Sequence, residues 1–223
     1  AGDKVIEQFR LWTADAAPQP ARYDESLALI RAGKPGAARA LYQQLRRSNL
    51  PAIQRATLLA ELAVYPGDSA LSLATADLSH PQPQVRESAV RAISALLPPT
   101  ERIAVLTPLL NDRVRAVRII AARHLLGAAR EGLGASQNAW ATAINEYEAV
   151  QLSLLERAEA NLNLAMLYQV SGRRGEVEPK LRDALVRDPD FYPALVTLGQ
   201  WLESTGRGAE ANELLSAAIR QHP

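Results

Sequence analysis

Apolar residues recur along this chain every three or four positions, and prolines and glycines interrupt the pattern at regular points. The interval is that of an amphipathic helix, and the interruptions mark where helices begin and end. Aromatic residues make up 5% of the chain, and its alanine- and leucine-rich composition favours helices over strands. The pattern therefore predicts helices near residues 3–13, 22–32, 36–48, 51–64, 67–78, 82–97, 100–110, 113–127, 136–155, 158–171, 174–187, 192–205 and 208–221.

The C-terminal third repeats itself with a 34-residue period, in the pairs Leu164/Leu198, Gly172/Gly206, Leu181/Leu215, Ala184/Ala218 and Pro189/Pro223. Small residues would let two helices approach closely, and glycine would allow the positive φ of a tight turn. This period and order of residues resemble the tetratricopeptide repeat. Pro179 departs from the expected pattern, and we place it early in its helix, near a first turn that could tolerate it.

The middle of the chain shows a second, shorter period. The stretch from Val85 to Val90 recurs as Val117 to Ala122, with a weaker echo at Gln54 to Leu59. A Val-Arg pair that opens a helix resembles the second helix of HEAT-like repeats, and the resemblance implies a bond between Asp112 and Arg118. The residue that corresponds to Asp112 before Arg86 is His80, so this ladder is incomplete. We expect Arg118 to be largely buried and to bond Asp112 or a neighbouring loop.

Together the two periods predict an all-α fold, an α-α superhelix (solenoid) of HEAT-like helix pairs followed by tetratricopeptide repeats. The HEAT-like region would cover residues 1–130 and the tetratricopeptide region residues 131–223. The glycine-rich stretch from Gly127 to Gly134 would join them.

Composition argues against several kinds of chemistry. The chain has no cysteine, which excludes disulfides, thiolate catalysis, cysteine-bound metals and covalent haem attachment in this chain. No apolar run approaches the length that spans a bilayer. The three histidines, His80, His124 and His222, are not at metal-ligand spacing, and the stretch from Gly127 fits no phosphate-binding fingerprint. We therefore expect no enzyme, no cofactor bound to this chain and no membrane span.

A basic cluster keeps a nucleic-acid alternative open, formed by Arg113, Arg115, Arg118 and Arg123. The net charge is +1, whereas binding to phosphates usually needs a net basic domain. We therefore predict no nucleic-acid partner. One alternative to a protein-binding role is a solenoid that only supports or oligomerises a larger protein. The other is a HEAT-like protein that binds nucleic acid or handles a pigment or cofactor.

The tetratricopeptide resemblance implies a concave binding face lined by the first helix of each repeat. Its predicted lining for a peptide is Glu159, Asn163, Met166, Gln169, Thr197, Gln200 and Glu203. Asn163 matches an asparagine that often bonds the backbone of an extended peptide in this family. The basic residues that clamp an acidic C-terminal tail in one subfamily are absent. We expect a protein or peptide partner, and self-association through the C-terminal repeat, whose outer face we expect to be apolar.

A more particular resemblance rests on Phe9 to Tyr23, which contains Arg-x-Trp and Pro-x-Pro, on Arg55-Ala56-Thr57 and on Val117-Arg118 followed by the 34-residue copies. These stretches resemble the C-terminal repeat region of bacterial multihaem c-type cytochromes. The resemblance implies a fragment of a larger exported, periplasmic, soluble protein whose haem sites lie upstream of Ala1. The expected role is a non-catalytic scaffold that docks or assembles protein partners.

Overall fold

The computed structural model describes residues 22–127 and 130–221, and this part of the chain is helical without any strand. The predicted all-α fold is confirmed. The predicted helix at 3–13 lies outside the described residues. Twelve α-helices are described: α1 Tyr23–Arg31, α2 Ala37–Leu45, α3 Ala52–Glu61, α4 Asp68–Asp77, α5 Pro83–Leu96, α6 Pro99–Leu106, α7 Arg115–His124, α8 Gln137–Leu152, α9 Ala158–Val170, α10 Arg174–Arg187, α11 Tyr192–Ser204 and α12 Gly208–Gln221.

The chain forms two compact units, Ala1–Leu96 and Leu97–Pro223. In the first, α1 packs on α2, and both α3 and α4 pack on α5. Its core consists mainly of fully buried leucine and isoleucine side chains: Ile30, Leu41, Leu45, Leu58, Leu59, Leu62 and Ile93. One polar pair is buried among them, because the Gln44 amide donates to the Ser26 hydroxyl at 2.9 Å. Burial of this pair costs little because donor and acceptor satisfy each other.

In the second unit, α9 packs on α10, α11 on α12, and α10 on α11. Residues one period apart occupy equivalent core positions, since Leu164 and Leu198 are both fully buried, as are Val177 and Ala211. Each 34-residue copy therefore forms a helix pair in which the same positions face inward. The boundary between the compact units precedes Leu97, and the division into repeat types at residue 130 remains a prediction.

Both copies turn between their helices at a glycine. Gly172 has φ of 74° and Gly206 has φ of 81°, values that only glycine adopts without strain. The next amide closes the turn, with Arg173 N donating to Tyr168 O at 2.9 Å and Arg207 N to Leu202 O at 2.8 Å. The predicted role of these glycines is confirmed.

Pro108 shortens a predicted helix, and Pro179 lies deeper in its helix than expected. Pro108 has no N–H to continue the helix predicted at 100–110, so α6 ends at Leu106 and the chain tightens into a 3-10 helix, Thr107–Asn111. Pro179 is the sixth residue of α10. It therefore lies beyond the first turn in which we expected it, and it cannot donate the helical hydrogen bond to Gly175.

Candidate protein-binding surface

Two helices, α9 and α11, carry all seven residues predicted to line a peptide-binding groove. They are the first helices of the two 34-residue copies, and they contact each other. Asn163 and Thr197 are half-buried. The other five side chains are exposed: Glu159, Met166, Gln169, Gln200 and Glu203. The predicted residues thus lie on one pair of neighbouring helices, and their use by a partner stays a prediction.

An apolar patch, defined here as Met166, Val170 and Val196, lies on these two helices. Their exposed fractions are 50%, 49% and 48%. Met166 and Val170 are four residues apart and so share a face of α9. Val196 takes the place in the second copy that the half-buried Leu162 has in the first. Exposed apolar side chains that share a helix face mark interaction sites more often than isolated ones do.

The polar side chains beside the patch differ in whether they already form hydrogen bonds within the protein. The Asn163 amide donates to Gln151 Oε1 at 3.0 Å, and its oxygen accepts from Arg123 Nη2 at 3.4 Å. Asn163 is therefore held in place, with one N–H left for a ligand. The side-chain amides of Gln169 and Gln200 make no hydrogen bond to any described residue. These two glutamines can bond a partner without breaking a contact.

The charges on this surface are acidic. Glu159 and Glu203 are exposed, and none of the other five predicted lining residues carries a charge. Glu159 has only a loose partner, since its carboxylate lies 3.8 Å from Arg157 and both side chains are about 60% exposed. Such a pair contributes little to stability. The surface therefore offers apolar contacts, two free amides and carboxylates at its margin.

An arginine follows each turn glycine and joins three elements. Arg173 bonds Glu176 at 2.7 Å and Glu148 at 2.7 Å, and its guanidinium carbon lies 3.8 Å from the centre of the Tyr168 ring. The hydrogen bonds to Glu176 and Glu148 raise the pKa of Arg173 above its ordinary value. These contacts fix the end of α9 against α8 and α10.

The second copy repeats this arrangement with Arg207. It bonds Glu178 at 2.6 Å and Glu210, and Arg182 bonds the same two carboxylates at 2.7 Å each. Neither arginine was predicted from the sequence to have a structural role. The sequence did contain a signal for this arrangement. Both copies have a Gly-Arg pair, beginning at 172 and at 206, and a glutamate follows three residues after each arginine.

The structural pair predicted in the middle of the chain, Asp112 and Arg118, includes a further partner that was not expected. Arg118 Nη1 donates to the backbone oxygen of Asp112 at 2.9 Å, while the Asp112 carboxylate accepts from the Val114 amide at 2.8 Å. The carboxylate partner of Arg118 is Glu146, whose pKa is lowered by the hydrogen bond from Arg118. Arg118 keeps 24% of its side chain exposed, so it is largely buried, as predicted.

His80 takes the place of aspartate in the corresponding loop. Its Nδ1 accepts from the Gln82 amide at 3.1 Å, as the Asp112 carboxylate does two residues before Val114. Arg86 Nη1 then donates to the His80 backbone oxygen at 2.8 Å. The His80 loop therefore makes the same two kinds of backbone contact as the Asp112 loop, although the aspartate is absent.

The third arginine of this kind is Arg55. Its Nε donates to both carboxylate oxygens of Asp77 at 2.8 Å, and Nη1 donates to the Arg47 backbone oxygen at 3.2 Å. Asp77 lies at the end of α4, so the pair joins α3 to α4. Arg55, Arg86 and Arg118 are named the loop-anchor arginines below.

Three arginines of the basic cluster considered for nucleic acid donate hydrogen bonds to other residues of the protein. Arg118 bonds Glu146, Arg115 Nη2 donates to the Glu146 backbone oxygen at 3.3 Å, and Arg123 donates to Asn163. No group of three metal-ligating side chains occurs within 22–127 and 130–221. Over the same ranges, no helix has the length and apolar character needed to cross a bilayer.

An apolar recess of about 210 Å³ lies where the end of α10 meets the start of α11 and the second half of α12. Leu185, Leu195 and Leu214 contribute to its walls. In α12, Leu215 and Ala218 are only half-buried, whereas their equivalents Leu181 and Ala184 in α10 are fully buried. The last described helix therefore leaves apolar surface uncovered.

Comparisons with protein-family models, with curated protein sequences and with solved structures find no match to this chain.

Proposed function

We propose that this chain is a non-catalytic scaffold for protein–protein interaction, which holds a segment of a partner against the face formed by α9 and α11. The observation that supports it is the apolar patch beside the free amides of Gln169 and Gln200. The tetratricopeptide-like and HEAT-like resemblances of the sequence agree with this role, since helical-repeat proteins bind partners on such faces.

The surface has the two components that hold a peptide segment. Burying the exposed half of each side chain in the apolar patch contributes about 1 kcal/mol, before the entropic cost of ordering the partner. The glutamine amides each offer donors and an acceptor, so they can pair with a backbone N–H or C=O group. Met166 adds an adaptable side chain of the kind used on binding surfaces.

Site-directed photo-crosslinking in the natural host tests this proposal. A benzophenone amino acid at position 166 should capture a defined partner segment, identified by mass spectrometry of the crosslinked peptide. The matched control places the same amino acid at position 186, because Val186 is 77% exposed but lies on α10. Equal capture at both positions, or capture at neither, would contradict the proposal.

The multihaem-cytochrome resemblance supports a narrower proposal, in which the chain is the docking or assembly module of a larger exported bacterial protein. Its partner would then be an electron-transfer domain, and its compartment the periplasm. Of the residues that carry this resemblance, 9–21 lie outside the described ranges. The test is covalent haem staining of the natural full-length protein from periplasmic extract. A full-length protein that carries no haem would refute it.

The apolar recess supports self-association as a second interaction. Leu214 lines the recess and is half-buried, so Leu214→Asp should weaken a contact between two copies there. Sedimentation velocity over a concentration series should show a dimer for the unaltered chain and for Val186→Asp, and a monomer for Leu214→Asp. A monomer at every concentration for all three proteins would exclude this contact.

A further inference from the structure

A second recess, the arginine pocket, lies near the C-terminal end of α11. It has a volume of about 440 Å³ and is lined by α10, the end of α11 and the loop that follows. Arg174, Pro179 and Trp201 form part of its wall. None of the residues predicted to bind a peptide lines it, so it is separate from the face proposed above.

One guanidinium in the pocket has no counter-charge. Arg174 is exposed and forms no ion pair or hydrogen bond with any residue that the structure describes. Its guanidinium carbon lies 6.0 Å from the centre of the Trp201 ring, at the outer limit of a cation–π contact. The two other arginines that line the pocket, Arg182 and Arg207, already bond carboxylates, so Arg174 is the cation of this pocket left available to a ligand.

The other charges around the pocket cancel. Arg182 and Arg207 each bond both Glu178 and Glu210, which makes a closed ring of two cations and two anions. The ring holds these side chains in place and contributes no net charge. The pocket therefore carries a single uncompensated positive charge, on Arg174.

The pocket also offers a neutral donor and a close approach to the backbone. The Trp201 indole N–H has no acceptor among the described residues and is not among the buried polar atoms. A side chain on Gly175 would meet nothing within 4 Å, so open space lies above the first turn of α10. Pro179 cannot donate to Gly175, which leaves that carbonyl without its usual helical partner.

We propose that the arginine pocket binds the carboxylate of an acidic side chain, an aspartate or glutamate within a flexible segment of a protein partner. The guanidinium would bond the carboxylate, and the indole N–H of Trp201, a residue that is 8% exposed, would donate a further hydrogen bond. The exposed Pro179 would pack against the neighbouring apolar groups of the segment. A phosphate fits less well because Glu178 also lines the pocket and would repel a second negative charge.

Titration of the indole N–H signals in a proton–nitrogen correlation spectrum tests this site. The chain has three tryptophans, and Trp201→Phe identifies the signal of Trp201. The probe is the blocked peptide acetyl-Leu-Glu-Leu-amide, compared with acetyl-Leu-Gln-Leu-amide and with inorganic phosphate. The acidic peptide should shift the Trp201 signal in a saturable way and leave the Trp140 signal unchanged, and the glutamine peptide should produce no saturable shift.

Arg174→Gln should weaken this binding by about tenfold or more, as expected for the loss of a charge-assisted hydrogen bond. The matched control is Arg187→Gln, which changes the net charge equally on the same helix but outside the pocket; its affinity should stay within about twofold of the unaltered chain. Equal weakening by both variants, tighter binding of phosphate or no shift with the acidic peptide would each overturn the proposal. The photo-crosslink at position 166 does not depend on this result.

Discussion

Replacing Asp77 by alanine tests how far the loop-anchor arginines stabilise the fold. Asp77 is 5% exposed and Arg55 is 14% exposed, and Asp77→Ala would leave that guanidinium with a backbone oxygen as its remaining acceptor in the contacts described above. Breaking a buried pair by removing one partner costs about 3–5 kcal/mol, because the other charge stays buried and unpaired. An exposed pair costs at most about 1 kcal/mol. The exposures place this pair near the first range.

Hydrogen exchange by mass spectrometry on the whole chain measures this effect locally, because amides of α3 and α4 report the free energy of opening their own unit. Asp77→Ala should lower that free energy by about 3 kcal/mol or more. Asp68→Ala, at the exposed start of the same helix, should lower it by at most about 1 kcal/mol.

The double replacement Arg55→Leu/Asp77→Leu should recover much of the loss, since it leaves no charge unpaired. Equal effects of Asp77→Ala and Asp68→Ala would refute the view that the pair is a buried one. A double replacement as damaging as Asp77→Ala would show instead that the cost comes from lost packing.

Three further changes separate other contributions to stability. Gly206→Ala should destabilise by about 1–2 kcal/mol in urea unfolding, because φ is 81° and no atom lies near enough for the new methyl group to contact. Gly199→Ala is its matched control and should stabilise by about 0.5–1 kcal/mol, because this glycine is helical and its new methyl group would lie 3.4 Å from Leu215 Cδ1. Glu146→Gln should lower the melting temperature at pH 7, and this deficit should vanish as the pH falls below the ordinary glutamate value of about 4.5. Arg118 holds the pKa of Glu146 below that value, so the contact stabilises the fold while Glu146 is ionised and is lost when it protonates. A deficit that persists unchanged at pH 3 would contradict this assignment.

Local patterns predicted the helices well because helix period, proline and glycine act within a few residues. The 34-residue copies and the left-handed conformation of Gly172 followed from such signals. Contacts between elements that are distant in the sequence could not be predicted from such signals. Nothing near Arg118 in the sequence points to Glu146, which lies on the next α-helix of the chain.

The candidate surfaces show the same division. The helix face that carries Met166 and Gln169 could be predicted from spacing, because the helix period fixes which residues share a face. The engagement of Asn163 by Gln151 and Arg123 could not, since it depends on how α7, α8 and α9 meet. The arginine pocket was missed because the isolation of Arg174 depends on which neighbouring acids are already paired, and spacing along the chain does not give that pairing.

The loop-anchor arginines also bear on how this sequence can diverge over evolution. Each donates to a main-chain oxygen, supplied by Arg47, by His80 and Pro81, or by Asp112, and every residue type provides such an oxygen. The arginine's contact to the loop therefore does not depend on the side chains of the residues that supply the oxygen. A lysine in place of Arg55 or Arg118 would be a poor substitute, because its single nitrogen cannot reproduce the fork of a guanidinium that bonds a loop and a carboxylate together. During evolution, the arginine at the start of a helix would then be retained after the loop motif that usually accompanies it has changed. Helices of this fold could therefore be kept in sequences that no longer show the motif.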